Sequence, residues 1–264
     1  MANYLVTGAS GGMGSAIIRR LVREGHSVWG IDRVEPSQVL GWHFICADIT
    51  RSDDLQETFD IVRAETRYLN GIIHAAGFYD LDSLVEMPED NFLHDFDVNL
   101  FGMFRINKMF LPLLSAGARI VIISSELAPL HPLPFTSVYA ITKAAVDRYA
   151  SALRMELQLL GLHVITVRPG AVKTAMLSDS TEKLDKFCDT TRLYSFGAAR
   201  FKKIVHMVES RHVSPEKVSK IILQALEAPK PRLTYNINRN PLLLLYQLLP
   251  TRLKLSLIKK ILEE

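Results

Sequence analysis

Tyr4-Leu5-Val6-Thr7-Gly8-Ala9-Ser10-Gly11-Gly12-Met13-Gly14 is the stretch on which the reading of this 264-residue chain turns. It joins a short apolar strand pattern to a segment, Ala16-Ile17-Arg20-Leu21, whose apolar residues recur at helical spacing. Glycines at such a junction let backbone approach a pyrophosphate where side chains would obstruct it. A helix beginning near Gly14 would aim its free N–H groups and positive dipole end at the phosphates. A tight turn without any ligand has the same composition, so the strand before and the helix after carry the argument.

Outward from that loop, short β-branched runs alternate with helical patterns. The runs are Val28-Trp29-Gly30-Ile31, His43-Phe44-Ile45, Ile72-Ile73, Arg119-Ile120-Val121-Ile122-Ile123, Val164-Ile165-Thr166-Val167 and a last strand at Arg232-Leu233-Thr234-Tyr235-Asn236-Ile237. Nearly all-apolar strands have no wet side and suit a parallel sheet covered on both faces. The expected fold is α/β, a doubly wound parallel sheet in one domain spanning 1–264, a length one core can serve. The composition, 48% hydrophobic and 22% charged, is that of an ordinary globular chain. Cys46 and Cys188 have neither metal-site nor disulfide-framework spacing, and the first strand begins too close to Met1 to leave room for a leader, so a reducing, cytoplasmic setting is expected. The longest apolar run, Leu242 to Leu249, falls far short of the roughly 20 residues that span a bilayer. No pair among the eight histidines has ligand spacing with supporting acids, and no basic-aromatic module for nucleic acid is present, so neither metal nor nucleic acid is expected.

Asp32 ends the second strand 18 residues after Gly14, where a carboxylate accepts from both adenosine ribose hydroxyls and repels a 2′-phosphate. NAD is therefore favoured over NADP. Arg33 is the counter-argument, because a guanidinium there could reach that phosphate. Tyr139 and Lys143 lie four apart in a segment, Val138 to Leu160, that reads as a long helix, so both project from one face. An ammonium beside a phenol favours the phenolate, and Lys143 is expected to lower the Tyr139 pKa toward neutrality. Ser124-Ser125 ends the fifth strand, 14 residues before Tyr139, at the edge where ligands bind in such sheets. Asn99, in an otherwise apolar helical stretch, needs partners for its amide.

Taken together these motifs resemble the short-chain dehydrogenase/reductase family, and the resemblance covers nearly the whole chain in order. It implies a Rossmann fold, an NAD(P)-dependent oxidoreductase and a catalytic tetrad of Asn99, Ser125, Tyr139 and Lys143. Gly8, Ser10, Gly12, Met13 and Gly14 look like the family's cofactor loop, with Asp32 and Arg33 at the ribose and Asp48-Ile49 at the adenine. Ala75-Ala76-Gly77 and Pro169-Gly170-Ala171-Val172-Lys173-Thr174 are similar to its two further cofactor segments, the latter contributing Pro169, Gly170, Val172 and Thr174. Tyr139 and Lys143 would also face the nicotinamide ribose, and Asn99 would hold a water on the proton path. The family's helix packing implies a homodimer or homotetramer, with Phe101, Met103, Phe104, Met109 and Phe110 as core or interface.

Three departures stand out. His74 replaces a usual asparagine, removing amides that tie the fourth strand to the central helix. The Ser125 to Tyr139 spacing is one residue long, which keeps Ser124 as an alternative. Glu126 is an unusual charge beside the serine and is expected to point to solvent. His74 and His131 are candidates for bordering the cleft. Residues 175 to 212 fall where the family carries its substrate lid, and Met176, Leu177, Leu184, Phe187, Leu193, Tyr194, Phe196 and Phe201 supply apolar bulk there. With Phe78, Tyr79, Leu127 and Pro134 opposite, a lipophilic alcohol or ketone is the expected substrate. The rival readings are an NADP(H)-dependent ketone reductase, a dinucleotide-sensing regulator without chemistry, and a sugar-nucleotide epimerase or dehydratase, for whose larger carboxyl-terminal domain the chain leaves little room.

The last quarter is basic, with 13 Lys and Arg against 5 Glu from Arg200 onward. Residues 241 to 263 read as a helical segment interrupted at Pro250. In it, Leu253, Leu257 and Ile261 form one apolar face, flanked by Ile258 and Leu262, with Lys254, Lys259 and Lys260 around it. Such a segment can close the pocket, pack on another subunit or make peripheral contact with an anionic membrane.

Overall fold

The computed structural model describes residues 1–263, apart from the side chains of Ser137, Ser178, Asp179 and Glu209. Seven strands form one sheet: β1 (Asn3–Thr7), β2 (Ser27–Asp32), β3 (His43–Cys46), β4 (Leu69–His74), β5 (Leu114–Ile123), β6 (His163–Pro169) and β7 (Thr234–Ile237). Their order is β3-β2-β1-β4-β5-β6-β7, and every pairing is parallel. The doubly wound sheet expected from the strand patterns is what forms. Chain direction across the sheet reverses between β1 and β4, and this switch opens a crevice at the carboxyl edge.

The pleat explains why these strands are apolar throughout. Tyr4, Val6, Ile73, Val121 and Ile123 pack on one face with Ile17 and Leu21 of α1 (Gly12–Arg23) and Val218 and Ile222 of α8 (Pro215–Glu227). Their neighbours Leu5 and Ile72 turn to the other face, beside Leu55 of α2 (Ser52–Glu65) and Ile106 of α4 (Gly102–Phe110). Ile120 and Ile122 pack there against Val146 and Ala150 of α5 (Ser137–Leu157). Helix α5 ends in a 3-10 turn, Gln158–Leu160, closed by left-handed Gly161. Before α4 the chain runs through α3 (Glu89–Phe96) and a π turn, Asp97–Phe101, that holds Asn99.

Beyond β6, where a substrate lid was expected, the chain forms two helices, α6 (Ala175–Thr190) and α7 (Ser195–Glu209). Of the large apolar residues there, Leu184 and Phe187 are buried in a core shared with α7, while Leu193 and Phe196 stand exposed. In the α4 stretch, Met103 and Phe110 are buried and Phe101 and Phe104 are exposed.

The carboxyl-terminal segment breaks where Pro250 suggested, into α9 (Pro241–Gln247) and α10 (Thr251–Glu263), but its faces differ from expectation. Helix α10 docks on α7 through Ile258 and Leu262, whereas Leu253, Leu257 and Ile261 lie on the exposed side. Lys254 belongs to the buried face at 5% exposure, its Nζ 3.5 Å from Gln247 Oε1. Helix α10 is apolar over more than one stripe, and the position of α7 selects which stripe is covered.

Candidate active site

The ends of β1, β4, β5 and β6 converge on one cleft. Gly8 adopts φ +69°, and a Cβ there would lie 2.6 Å from the Ala76 amide nitrogen, so the loop after β1 can touch the segment after β4 only as glycine. A Cβ on Gly14 would collide with the Gly8 carbonyl, which lets α1 start directly under the loop. The helix begins at Gly12, two residues earlier than expected, with Gly11 as its N-cap. Thr7 Oγ1 accepts from Ala76 N at 3.2 Å, tying the two segments together. A phosphate-sized group above this junction would meet unencumbered backbone and helix N–H groups.

Asp32 stands at the end of β2, where it accepts from Ser10 N at 3.0 Å and from Val34 N at 3.2 Å. Arg33 Nη1 lies 3.5 Å from Asp48 Oδ2; burial raises the Asp48 pKa, but hydrogen bonds from Thr50 and the Arg33 charge outweigh it and hold the carboxyl below the usual range. Ile49 buries its side chain in the core against Gly102. On the opposite wall, Pro169, Gly170, Val172 and Thr174 line the cleft with Met13, Ala75, Ala76 and Gly77. The residues present therefore fit a dinucleotide along the whole carboxyl edge.

At the centre of the cleft, Ser125, Tyr139 and Lys143 meet. Ser125 stands beside the Tyr139 phenol and favours its ionised form, while Ser124 Oγ is turned to the Lys143 carbonyl at 3.5 Å. The geometry thus brings Ser125, not Ser124, to the tyrosine. Lys143 Nζ is 5.7 Å from the Tyr139 ring centroid and donates to Ile123 O at 3.3 Å. Tyr79 packs edge-on to Tyr139, with ring centroids 4.5 Å apart.

The expected direction of the tyrosine shift is corrected. Burial pushes Tyr139 up to about 12, with the nearby Ser125 hydroxyl opposing and the charge of Glu126 adding to the rise. Burial also pulls Lys143 down to about 8, with Asp147 opposing. The reason is desolvation: the cleft removes solvent from phenolate and ammonium alike, and no bond joins Lys143 directly to the phenol.

Asn99 is buried, and its side chain is committed. Its Oδ1 accepts from Phe78 N at 2.8 Å, and its Nδ2 donates to Phe78 O at 3.0 Å and Thr142 Oγ1 at 3.1 Å. A water held by Asn99 would accordingly fall to its main-chain carbonyl rather than its amide.

Three other expectations change. His74 lies outside the cleft: its Nε2 meets Asn107 Oδ1 at 2.8 Å, so the histidine itself ties β4 to α4 where the amides are missing. Burial pulls it down to about 4. His131 is exposed and meets Gln247 through its backbone. Glu126 does not point to solvent; it is buried in the cleft wall, and burial raises its pKa.

The apolar end of the cleft uses Met176, Leu177 and Phe201 of the lid, with Phe78, Tyr79 and Leu127 opposite. Leu133 takes the wall place expected of Pro134. Ile204, Val205, Val208 and Leu243 also line it and were not singled out from sequence. The spacing of Ile204, Val205 and Val208 along α7 was the available signal. Among the described residues, no cluster suited to a metal ion occurs, and no helix is long and apolar enough to cross a membrane. Both cysteines are free.

A family model described as short chain dehydrogenase matches residues 2–185. The chain belongs to the short-chain dehydrogenase/reductase family. As a family member it is an NAD(P)-dependent oxidoreductase acting on small-molecule alcohols or ketones. It is 26% identical, over 94% of its length and 93% of the relative's, to a probable short-chain type dehydrogenase/reductase of Helicobacter pylori. A 3-ketodihydrosphingosine reductase of Bacteroides thetaiotaomicron is 25% identical, with 86% of this chain and 84% of that one covered. The human 17-beta-hydroxysteroid dehydrogenase type 1 is 28% identical over 69% of this chain and 58% of its own. Among solved structures, a short chain dehydrogenase family protein of Francisella tularensis superposes with a TM-score of 0.75 at 24% identity, covering 90% of this chain and 97% of that one. That likeness carries the short-chain dehydrogenase fold.

Proposed function

We propose that this chain moves a hydride between NAD(H) and the carbinol or carbonyl carbon of a lipophilic substrate, with Tyr139 as the acid/base. The observation that carries the reading is the convergence of Ser125, Tyr139 and Lys143 in one cleft whose far wall is apolar. The dinucleotide supplies the hydride. Tyr139, neutral at working pH, gives its proton to a carbonyl oxygen in reduction and takes one back in oxidation. Ser125 orients that oxygen. Lys143, held between the end of β5 and Gly77, reaches toward the nicotinamide ribose, and Asn99 fixes the Phe78 backbone beneath it. Support for NAD over NADP comes from the carboxylate of Asp32 at the end of β2, beside the glycine loop, and from the Arg33 guanidinium lying 3.5 Å from Asp48. Support for a lipophilic substrate comes from the apolar lid and from relatives named for a sphingoid ketone and a hydroxysteroid.

An NAD(H)- and NADP(H)-linked screen of alcohols and ketones tests this, with Tyr139→Phe as control. Turnover with NAD(H) on apolar substrates, lost about 10²- to 10⁴-fold in the variant while NADH still binds, is the expected result. NADH binding without turnover across the panel would point instead to a dinucleotide sensor, and a Tyr139→Phe enzyme that keeps most of its turnover would overturn the assignment.

We further propose that the α9–α10 surface rests on an anionic membrane. Leu242, Leu245, Leu248, Leu253 and Leu255 stand exposed on it, Leu248 at 80%, with Arg252 and Lys259 alongside, and Leu243 of the same segment lines the cleft. An apolar surface rimmed by cations and opening on a lipophilic cleft has the chemistry of an interfacial helix. Exposed Phe101, at the end of the π turn, and Phe104 of α4 support the homodimer or homotetramer that the family implies, which light scattering of the purified protein tests.

A further inference from the structure

Glu126 is a carboxylate in a wall that is otherwise largely apolar. It is 7% exposed, next in sequence to Ser125, and its N–H donates to Pro169 O at 2.8 Å, so it lies between the end of β5 and the segment after β6. Its Oε2 accepts one hydrogen bond, from Asn240 N at 2.7 Å, at the N-cap of α9. Its Oε1 packs over Gly170, where a Cβ would stand 2.7 Å away. Arg239 eases its charge only through space, and the carboxylate in turn acts on Tyr139. A buried carboxylate with a single backbone donor is costly unless something else meets it, and its neighbours in the cleft are the reacting groups.

We infer that Glu126 is a specificity-determining residue that receives a hydrogen-bond donor, a hydroxyl or an ammonium, carried by the substrate beside its reacting carbon. The inference rests on the proposed oxidoreductase activity and narrows its substrate class. The substrate is an amphiphile, with an apolar chain against Leu177, Phe201 and Val208 and a donor-bearing carbon next to the ketone or alcohol. A substrate whose only polar group is the reacting oxygen leaves the carboxylate unmatched.

The test compares three ketones of one chain length: a long-chain methyl ketone, and the same chain with a hydroxyl or an ammonium on that methyl carbon. Wild-type enzyme is expected to favour both donor-bearing ketones at least tenfold in kcat/KM, chiefly through KM, as a charge-assisted hydrogen bond would give. Glu126→Leu should collapse both ratios toward one. Glu126→Gln keeps an acceptor for Asn240 N and for a hydroxyl, so it should retain the hydroxyl preference and lose the ammonium preference. Should the leucine variant fail to fold, the glutamine variant decides alone. A wild-type ratio near one, or ratios that survive substitution, would overturn the inference, as would an equal loss on all three ketones, the mark of a mere latch on α9. Calorimetric binding of the matching alcohols to the NADH-loaded protein gives the same ratios without turnover. If no ketone is reduced, the oxidoreductase reading fails, while the binding ratios still decide on Glu126.

Discussion

Asn99 holds the backbone of Phe78 from both sides, accepting from its N–H at 2.8 Å and donating to its carbonyl at 3.0 Å. The next residue, Tyr79, packs on the ring of Tyr139. The central helix and the acid/base are thereby linked through Phe78 and Tyr79, two residues of the segment after β4. Asn99→Leu, of similar size, would orphan both Phe78 groups at a cost of about 1–3 kcal/mol. Thermal melts should show the loss. The proposed enzyme should lose kcat more than substrate affinity, and a variant with unchanged melting and turnover would show that the clamp is dispensable.

Lys143 gives a pH dependence whose sign can be worked out. Its folded pKa, pulled down to about 8, lies below the ordinary lysine value of 10.5, so the cost of burying the ammonium is present below about 8 and is relieved as pH rises through it. The apo protein should therefore gain stability between about pH 8 and 10.5. Dinucleotide binding should run the other way, because the neutral amine is the weaker donor to ribose hydroxyls and a charged donor is worth about 1.5–3 kcal/mol. NADH affinity is expected to fall roughly tenfold or more above the midpoint, and titrations of Lys143→Met should show a flat profile. A wild-type profile as flat as the variant's would remove Lys143 from cofactor binding.

Much of the sheet was legible because parallel strands buried on both faces must be apolar throughout, and Tyr4 to Val6, Ile72-Ile73 and Ile120 to Ile123 satisfy that pattern without help from distant residues. The loop glycines were legible for a similar local reason. What could not be read depended on pairs far apart in sequence. Glu126 looks like a surface acid until Asn240, more than a hundred residues on, is placed beside it. His74 looks like a lost tie until Asn107 faces it. The tyrosine shift was misread because a four-residue spacing shows the neighbouring cation but not the depth of the cleft.

A second titration lies under the lid. Asp95 of α3 is fully buried, and neither carboxyl oxygen has a hydrogen-bond partner among the described residues. Burial pushes it up to about 7, the charge of Asp80 adds to this, and Lys183 opposes it. A folded pKa above the ordinary aspartate value of 3.8 means that stability falls as pH rises from about 4 to about 7, and that the full cost stays above 7. The shift sets a ceiling of about 4 kcal/mol on that cost. Asp95→Asn should flatten this limb and raise the melting temperature at pH 8, by about 2–4 °C for each kcal/mol recovered. Melting curves of both proteins from pH 4 to 8 check it; a variant less stable at pH 8 would mean that ionised Asp95 is matched in solution.

The two faces of α10 should respond differently to substitution, and the contrast separates packing from membrane contact. Leu262 is buried against α7, beside Phe201 and Val205, and a Cβ on Gly197 would come within 3.8 Å of its side chain. Leu262→Ala removes that packing and should cost about 2–5 kcal/mol, with loss of activity as the lid loosens. Leu253 is 55% exposed, so Leu253→Asp should change stability by no more than about 0.5 kcal/mol. Its effect should show at a lipid surface instead. Co-sedimentation with vesicles containing phosphatidylserine is expected to be salt-sensitive for the wild-type protein, because the helix presents cations as well as leucines. Binding should weaken for Leu253→Asp while turnover of a water-soluble ketone persists. If the aspartate variant binds vesicles as well as wild type does, or if neither binds, the exposed leucines serve no lipid surface, whereas the cost of Leu262→Ala would stand on the packing alone.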